Sequence, residues 1–179
     1  MKTEKDFETL HKLAVQTARN IHLRSDAEHG RSIDKYGNII KTVGDDSGVY
    51  IEVNQDVRIT VHNHPNEYKI SEPFSDEDIY RFLTKKHLVE ILVCGYGYYY
   101  YLRRGNYNGL SIDVRNDVKK LFRETQNRVL KEYTKNIENA VKSYKRGLKE
   151  INTLFESEYH KELQKYLNGK GLSYGKVKL

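Results

Sequence analysis

Residues 61–79 read VHNHPNEYKISEPFSDEDI, and the fold can be read outward from them. Upstream, Val57, Ile59 and Val61 alternate, which predicts a strand over 57–61 with those three side chains on one face. That strand runs into His62-Asn63-His64-Pro65. Pro65 has no N–H to give a ladder, so it ends the strand. Side chains two apart on a strand point the same way, so the His62 and His64 imidazoles share a side. A polar loop over 66–74 follows, and then Ser75, a good N-cap, with Asp76, Glu77 and Asp78 in the first helical turn, where the helix dipole favours carboxylates. Ile79, Phe82 and Leu83 give this helix an apolar face to about His87. Asp78 is thereby placed to join the two histidines as a third ligand. Two nitrogens and an oxygen suit zinc, whose catalytic sites keep a fourth position for water.

The flanking sequence supplies the rest of an α/β (α+β) layer. Phe7, Leu10, Leu13, Ala14 and Ala18 recur at helical spacing and predict an amphipathic helix over 4–20. Short β segments are expected near 32–33 and over 38–43, joined through Lys35-Tyr36-Gly37-Asn38, where glycine and asparagine tolerate positive φ. Val49, Ile51 and Val53 alternate and predict a further strand. After the second helix, residues 88–94 are nearly all apolar, as in a central strand covered on both faces. Cys94 lies in that run, so it is expected to be a buried, inert thiol. Gly95-Tyr96-Gly97 turns the chain into a tyrosine-rich strand over 98–102. From Ser111 the pattern becomes long helix. Leu130, Ile137, Val141, Tyr144, Leu148, Ile151 and Phe155 form a heptad seam. That seam could pack on the domain, pair with residues 113–130, or mediate self-association through 130–155. Gly169 and Gly171 end the helix, and 173–179 are strand-like or loose.

His62-x-His64-Pro65 followed by Ser75-x-x-Asp78 resembles the JAMM signature of the JAB/MPN-domain metalloproteases. The resemblance covers roughly residues 5–105. It implies a JAB/MPN-like mixed sheet flanked by helices, with His62, His64 and Asp78 binding Zn2+ and Ser75 helping to position and polarise the reacting groups. The family's general base is a glutamate on a neighbouring strand, and the matching residue is Glu28, in Asp26-Ala27-Glu28-His29-Gly30 before the first hairpin. The stretch is also similar to JAB-like modules of phage and mobile-element proteins, some of which continue into a helical, basic C-terminal part. The implied activity is that of a peptidase or isopeptidase on a protein or isopeptide-conjugate substrate. One departure is the spacer of residues 65–74 between His64 and Ser75, which is longer than is usual in the family.

Composition sets the limits. The chain of 179 residues suits one domain with an appendage, divided here into a metallohydrolase-like part, 1–110, and a basic helical extension, 111–179. Lysines and arginines number 15 against 16 acids in the first part and 16 against 9 in the second, so the net charge of +6 belongs to the extension. A single cysteine excludes an intramolecular disulfide. The N-terminal residues lack an apolar signal core and no run approaches a membrane span, so a cytoplasmic protein, in the host cell if phage-encoded, is expected.

A competing expectation follows from the basic extension and from Tyr99, Tyr101, Arg103 and Arg104. Such residues could stack on bases and follow a phosphate backbone, as in a phage anti-defence (anti-CRISPR-like) protein that binds or cleaves RNA or a nucleoprotein. A non-catalytic assembly module is the third.

Overall fold

The computed structural model describes residues 2–44, 49–66, 68–136 and 144–179. The elements in chain order are α1 (Phe7–Ile21), β1 (His29–Asp34), β2 (Ile39–Val43), β3 (Val57–Asn63), α2 (Asp76–Thr84), β4 (Glu90–Gly95), β5 (Tyr98–Arg103), α3 (Ser111–Asn136), α4 (Tyr144–Gly169) and β6 (Ser173–Lys178). The six strands form one mixed sheet in the order β2-β1-β3-β4-β5-β6. β3 and β4 pair in parallel, and every other neighbouring pair is antiparallel. The parallel pair is joined through α2, the crossover that parallel strands require.

Each face of the sheet carries its own core. On one, Leu10, Ala14, Ala18 and Ile21 of α1 pack on Ile33, Ile59, Val61, Leu92, Cys94 and Tyr99. Asp6 caps α1 by accepting the Thr9 N–H at 2.8 Å. Cys94 is fully buried, and burial pushes its thiol well above the usual range, as expected of an inert cysteine. On the other face, α2 contributes Ile79, Phe82 and Leu83 to a core shared with Val93, Tyr100, Val118, Leu163 and Tyr174. Val57 belongs to this second core rather than with Ile59 and Val61, because the β1–β3 register shifts between Ile33 and Asp34.

The C-terminal helices are continuous with this core. α3 and α4 form an antiparallel hairpin in which Phe122 meets Phe155 and Tyr159 edge-on, with ring centroids 4.9 and 5.3 Å away. The Tyr166 hydroxyl donates to Asp117 at 2.6 Å. α4 is tied to the sheet where Glu156 accepts the Tyr100 hydroxyl and Lys176 Nζ, the latter at 2.9 Å. Residues 173–178 pair with β5 as a true edge strand. Of the heptad seam, Ile137 and Val141 lie outside the described residues, while Phe155 packs within the chain.

Two further expectations are corrected. Residues 49–53 form no strand. β1 is already paired on both edges, by β2 and β3. The segment instead lies against β1 at Gly30, where an added Cβ would meet Ile51 Cγ1 at 2.5 Å. The second helix ends at Thr84, short of His87. Arg104 terminates it by donating to the carbonyls of Phe82 (2.5 Å), Lys85 (2.8 Å), Leu83 (3.3 Å) and Leu88 (3.2 Å).

Candidate metal centre

The site grows from the C-terminal end of β3. His62 pairs with Gly30 of β1 on one side and with Val93 of β4 on the other, so it is held in the middle of the sheet. His64 lies just past the strand and donates its backbone N–H to the Cys94 carbonyl at 3.2 Å. Strand alternation turns both imidazoles toward α2.

α2 brings its first turn to meet them. Ser75 and Asp78 form a reciprocal capping box. The Asp78 N–H donates to Ser75 Oγ at 3.1 Å, and Asp78 Oδ2 accepts both the Ser75 N–H (2.9 Å) and the Ser75 hydroxyl (2.7 Å). These bonds fix the carboxylate against the histidines. His62 Nε2 lies 3.0 Å from His64 Nε2 and 3.2 Å from Asp78 Oδ1, and His64 Nε2 lies 3.6 Å from Asp78 Oδ2.

Those distances test the donor set. Ligands about 2.0–2.1 Å from a zinc ion at tetrahedral angles lie about 3.3 Å apart, within the range of the observed edges. Two imidazole nitrogens and a carboxylate oxygen are also the donors that zinc takes in hydrolytic sites. Among the described residues, His62, His64 and Asp78 are the one group of three or more that could hold a metal ion. His62 is deeply buried, with 8 % of its side chain exposed, against 15 % for His64 and 16 % for Asp78.

Electrostatics supports the same assignment. Burial drives the His64 imidazole down to about 4, despite Asp78, so it is neutral at pH 7 with a lone pair to offer. The Pro73 backbone opposes this only in part. Burial acts on His62 in the same direction, but the Asp78 and Glu28 carboxylates outweigh it and raise that imidazole. Burial would raise Asp78, yet His62, His64 and Ser75 together hold it well below the usual carboxylate range. His62 Nδ1 is buried with no hydrogen-bond partner among the described residues.

Glu28 lines the same cavity as the three candidate ligands. It sits two residues before Gly30, the partner of His62, and is therefore on the cavity side of the sheet. Its carbonyl accepts the Gly44 N–H at 2.8 Å, and the Val49 backbone favours the ionised form of its carboxyl. Burial raises its carboxyl; His62 opposes this and Asp78 adds to it. His29, next to it, is bonded to Asp26 at 3.2 Å, and His22 Nδ1 accepts the Gly97 N–H at 3.1 Å.

The long spacer after His64 is closed on itself. Asn66 donates to the Ile70 carbonyl at 2.6 Å and accepts the Ile70 N–H at 3.1 Å. The Tyr96 hydroxyl donates to the Asn66 carbonyl at 2.9 Å and anchors this loop to the β4–β5 turn. Tyr96 and Gly97 make that turn with φ of 45° and 93°, the two-residue hairpin geometry that needs positive φ at both positions.

The cavity, about 1290 Å³ in all, extends from the ligand cluster to the α3–α4 hairpin, where Phe122, Leu130, Leu148, Ile151 and Phe155 form an apolar wall.

The residues considered for base stacking lie elsewhere and are engaged. Tyr99 is buried against α1. Arg103 donates to the fully buried Glu90 at 2.7 Å and lies over the rings of Tyr101 and Phe7, 4.7 and 5.0 Å from their centroids. His11 Nδ1 reaches the same glutamate at 2.8 Å. Arg104 holds the end of α2, as above. Three residues that shape the site were not assigned to it from sequence: Gly30, Val49 and Asn63. Gly30 falls just before the first β segment expected from sequence, so the close approach of Ile51 to it had no signal there. No helix among the described residues is long and apolar enough to cross a membrane.

No protein-family model, curated protein or solved structure matches the chain.

Proposed function

We propose that this protein is a zinc-dependent peptidase or isopeptidase of the JAMM type, acting on an extended polypeptide or an isopeptide-linked conjugate. One observation carries the proposal: donor atoms of His62, His64 and Asp78 converge on one point in the wall of a cavity that Glu28 also lines. The resemblance of the motif residues to the JAMM signature supports it. So does their placement, with the glutamate before β1, the histidines at the end of β3 and the aspartate in the first turn of α2.

Zinc, when bound, polarises a carbonyl and lowers the pKa of a coordinated water toward about 7. Glu28 is the proton acceptor of the cavity; it takes a proton from the attacking water and returns it to the leaving amine. Its raised carboxyl brings it closer to the operating pH, which favours both transfers. Ser75 acts through Asp78, because its hydroxyl proton is given to that carboxylate. The apolar wall of the α3–α4 hairpin excludes water and receives side chains of the bound polypeptide.

The discriminating variant is Glu28→Gln. Zinc should stay bound, while hydrolysis of a peptide and isopeptide library falls by about 10²- to 10⁴-fold, the usual contribution of a general base. Zinc-loaded wild-type protein that cleaves nothing in such a library, or a Glu28→Gln variant as active as wild type, would contradict the proposal.

A further inference from the structure

Asn63 lies between the two histidines and, by strand alternation, points to the opposite face of the sheet. It is 1 % exposed. Its Oδ1 accepts the His29 N–H at 2.5 Å, and its Nδ2 donates to the carbonyls of Arg24 at 2.9 Å and Ala27 at 3.5 Å. One carboxamide thus binds three backbone groups of the segment that connects α1 to β1. The β1–β3 ladder runs as far as Gly30 and His62, and the Asn63 side chain takes the next N–H in place of another rung.

We infer that Asn63 is the positioning residue for Glu28, an inference that rests on the metallohydrolase reading. Glu28 is flanked by two of the clamped groups, the Ala27 carbonyl and the His29 N–H. Its side chain leaves the backbone toward the cavity while Asn63 holds that backbone from behind. The same strand end therefore does two jobs: His62 and His64 face the metal position, and Asn63 fixes the height of the base above it. A buried carboxamide with three backbone bonds is rigid, and a base held on a rigid segment keeps its distance from the reacting water. Asn63 touches no reacting atom and acts only through the segment it holds.

The test compares Asn63→Ala and Asn63→Asp with Glu28→Gln and His62→Ala, using Zn(II) and Co(II) as probes. Asn63→Asp keeps the acceptor for the His29 N–H and removes the donors to Arg24 and Ala27, so the two variants remove different parts of the clamp. Metal stoichiometry in both Asn63 variants should match wild type, without the roughly 10- to 100-fold loss of affinity seen when a ligand's own support is removed. The pH titration of the Co(II) visible spectrum should shift in the direction that Glu28→Gln shifts it, and the Asn63→Ala/Glu28→Gln double variant should shift no further. A wild-type titration in the Asn63 variants beside a shifted one in Glu28→Gln overturns the inference. So does loss of metal equal to that of His62→Ala. If wild type takes up neither metal, the metallohydrolase reading fails by itself, and the clamp is then read from amide hydrogen exchange of the metal-free protein. The Asn63 variants should speed exchange over residues 24–30 by about tenfold or more while β4 stays protected, and unchanged exchange there overturns the clamp.

Discussion

Ser75 and Asp78 hold each other: the Ser75 hydroxyl donates to Asp78 Oδ2 at 2.7 Å while Ser75 Oγ accepts the Asp78 N–H at 3.1 Å. One pair of residues both starts α2 and orients a candidate ligand. Ser75→Ala should therefore have two effects. Loss of the cap costs about 1 kcal/mol of stability. Metal affinity falls by about 10-fold or more, because the carboxylate loses its orienting donor. Thermal unfolding and a competitive zinc titration measure the two separately, and affinity that stays at the wild-type level would show that Asp78 does not need the serine.

Gly30 is required by what lies across it. A Cβ there would come within 2.5 Å of Ile51 Cγ1 and 3.0 Å of Val49 Cγ2. Gly30→Ala should displace the Val49–Ile51 stretch, at a cost of about 1–3 kcal/mol, as for other overpacked sites. The Val49 backbone lies beside Glu28 and favours its ionised carboxyl, so hydrolysis should fall along with stability while zinc binding persists. A variant with wild-type stability would mean that Ile51 simply moves aside.

The buried histidines set a pH dependence for the metal-free protein. His64 is pushed down to about 4 from its ordinary 6.5, so between those values the unfolded chain carries a proton that the folded one lacks. The stability tied to His64 is present above pH 6.5 and is lost as pH falls toward 4. His62 is raised, so its contribution is complete below 6.5 and declines as pH rises through its folded value. The raised Glu28 carboxyl behaves like His62, in a window above 4.5. Subtracting the unfolding free energy of His64→Ala from that of wild type isolates the first effect. The difference should grow by roughly 2–3 kcal/mol between pH 4 and 6.5. A flat difference would place His64 in water rather than in the cluster.

Arg104 separates the structural account of the Tyr/Arg region from a nucleic-acid one. Its guanidinium serves four carbonyls at the end of α2. Arg104→Ala should cost about 1.5–3 kcal/mol, the range for a hydrogen-bonded charged group, and Arg104→Lys should not restore it, since an ammonium cannot span the same acceptors. Wild-type thermal stability in Arg104→Ala, together with lost RNA retention on a gel, would favour the RNA-binding alternative.

Much of this arrangement was legible in residues 57–94. The strand before His62, the break at Pro65, the Ser75 cap and the apolar run before Gly95 each have a local cause and appear where that cause puts them, although a register shift turns Val57 to the face opposite Ile59 and Val61. What was not legible depends on distant partners. Residues 49–53 carry strand periodicity, but both edges of β1 were taken. Arg103 and Arg104 were considered for nucleic-acid contact, and their acceptors, Glu90 and the end of α2, are brought to them only by the fold. Asn63 carried no signal beyond its place between two histidines, because the α1–β1 segment that it clamps is brought to it by the fold. Residues 173–178 gave a weak strand signal since β5, their partner, lies about seventy residues earlier, across two helices.

The central claim is that His62, His64 and Asp78 bind one divalent metal ion. Inductively coupled plasma mass spectrometry of wild-type protein and of His62→Ala/His64→Ala, purified side by side, tests it most directly. The account predicts about one zinc per wild-type chain and none in the folded double variant. Equal metal content in the two proteins, or a wild-type chain that takes up no zinc when offered it, would contradict it.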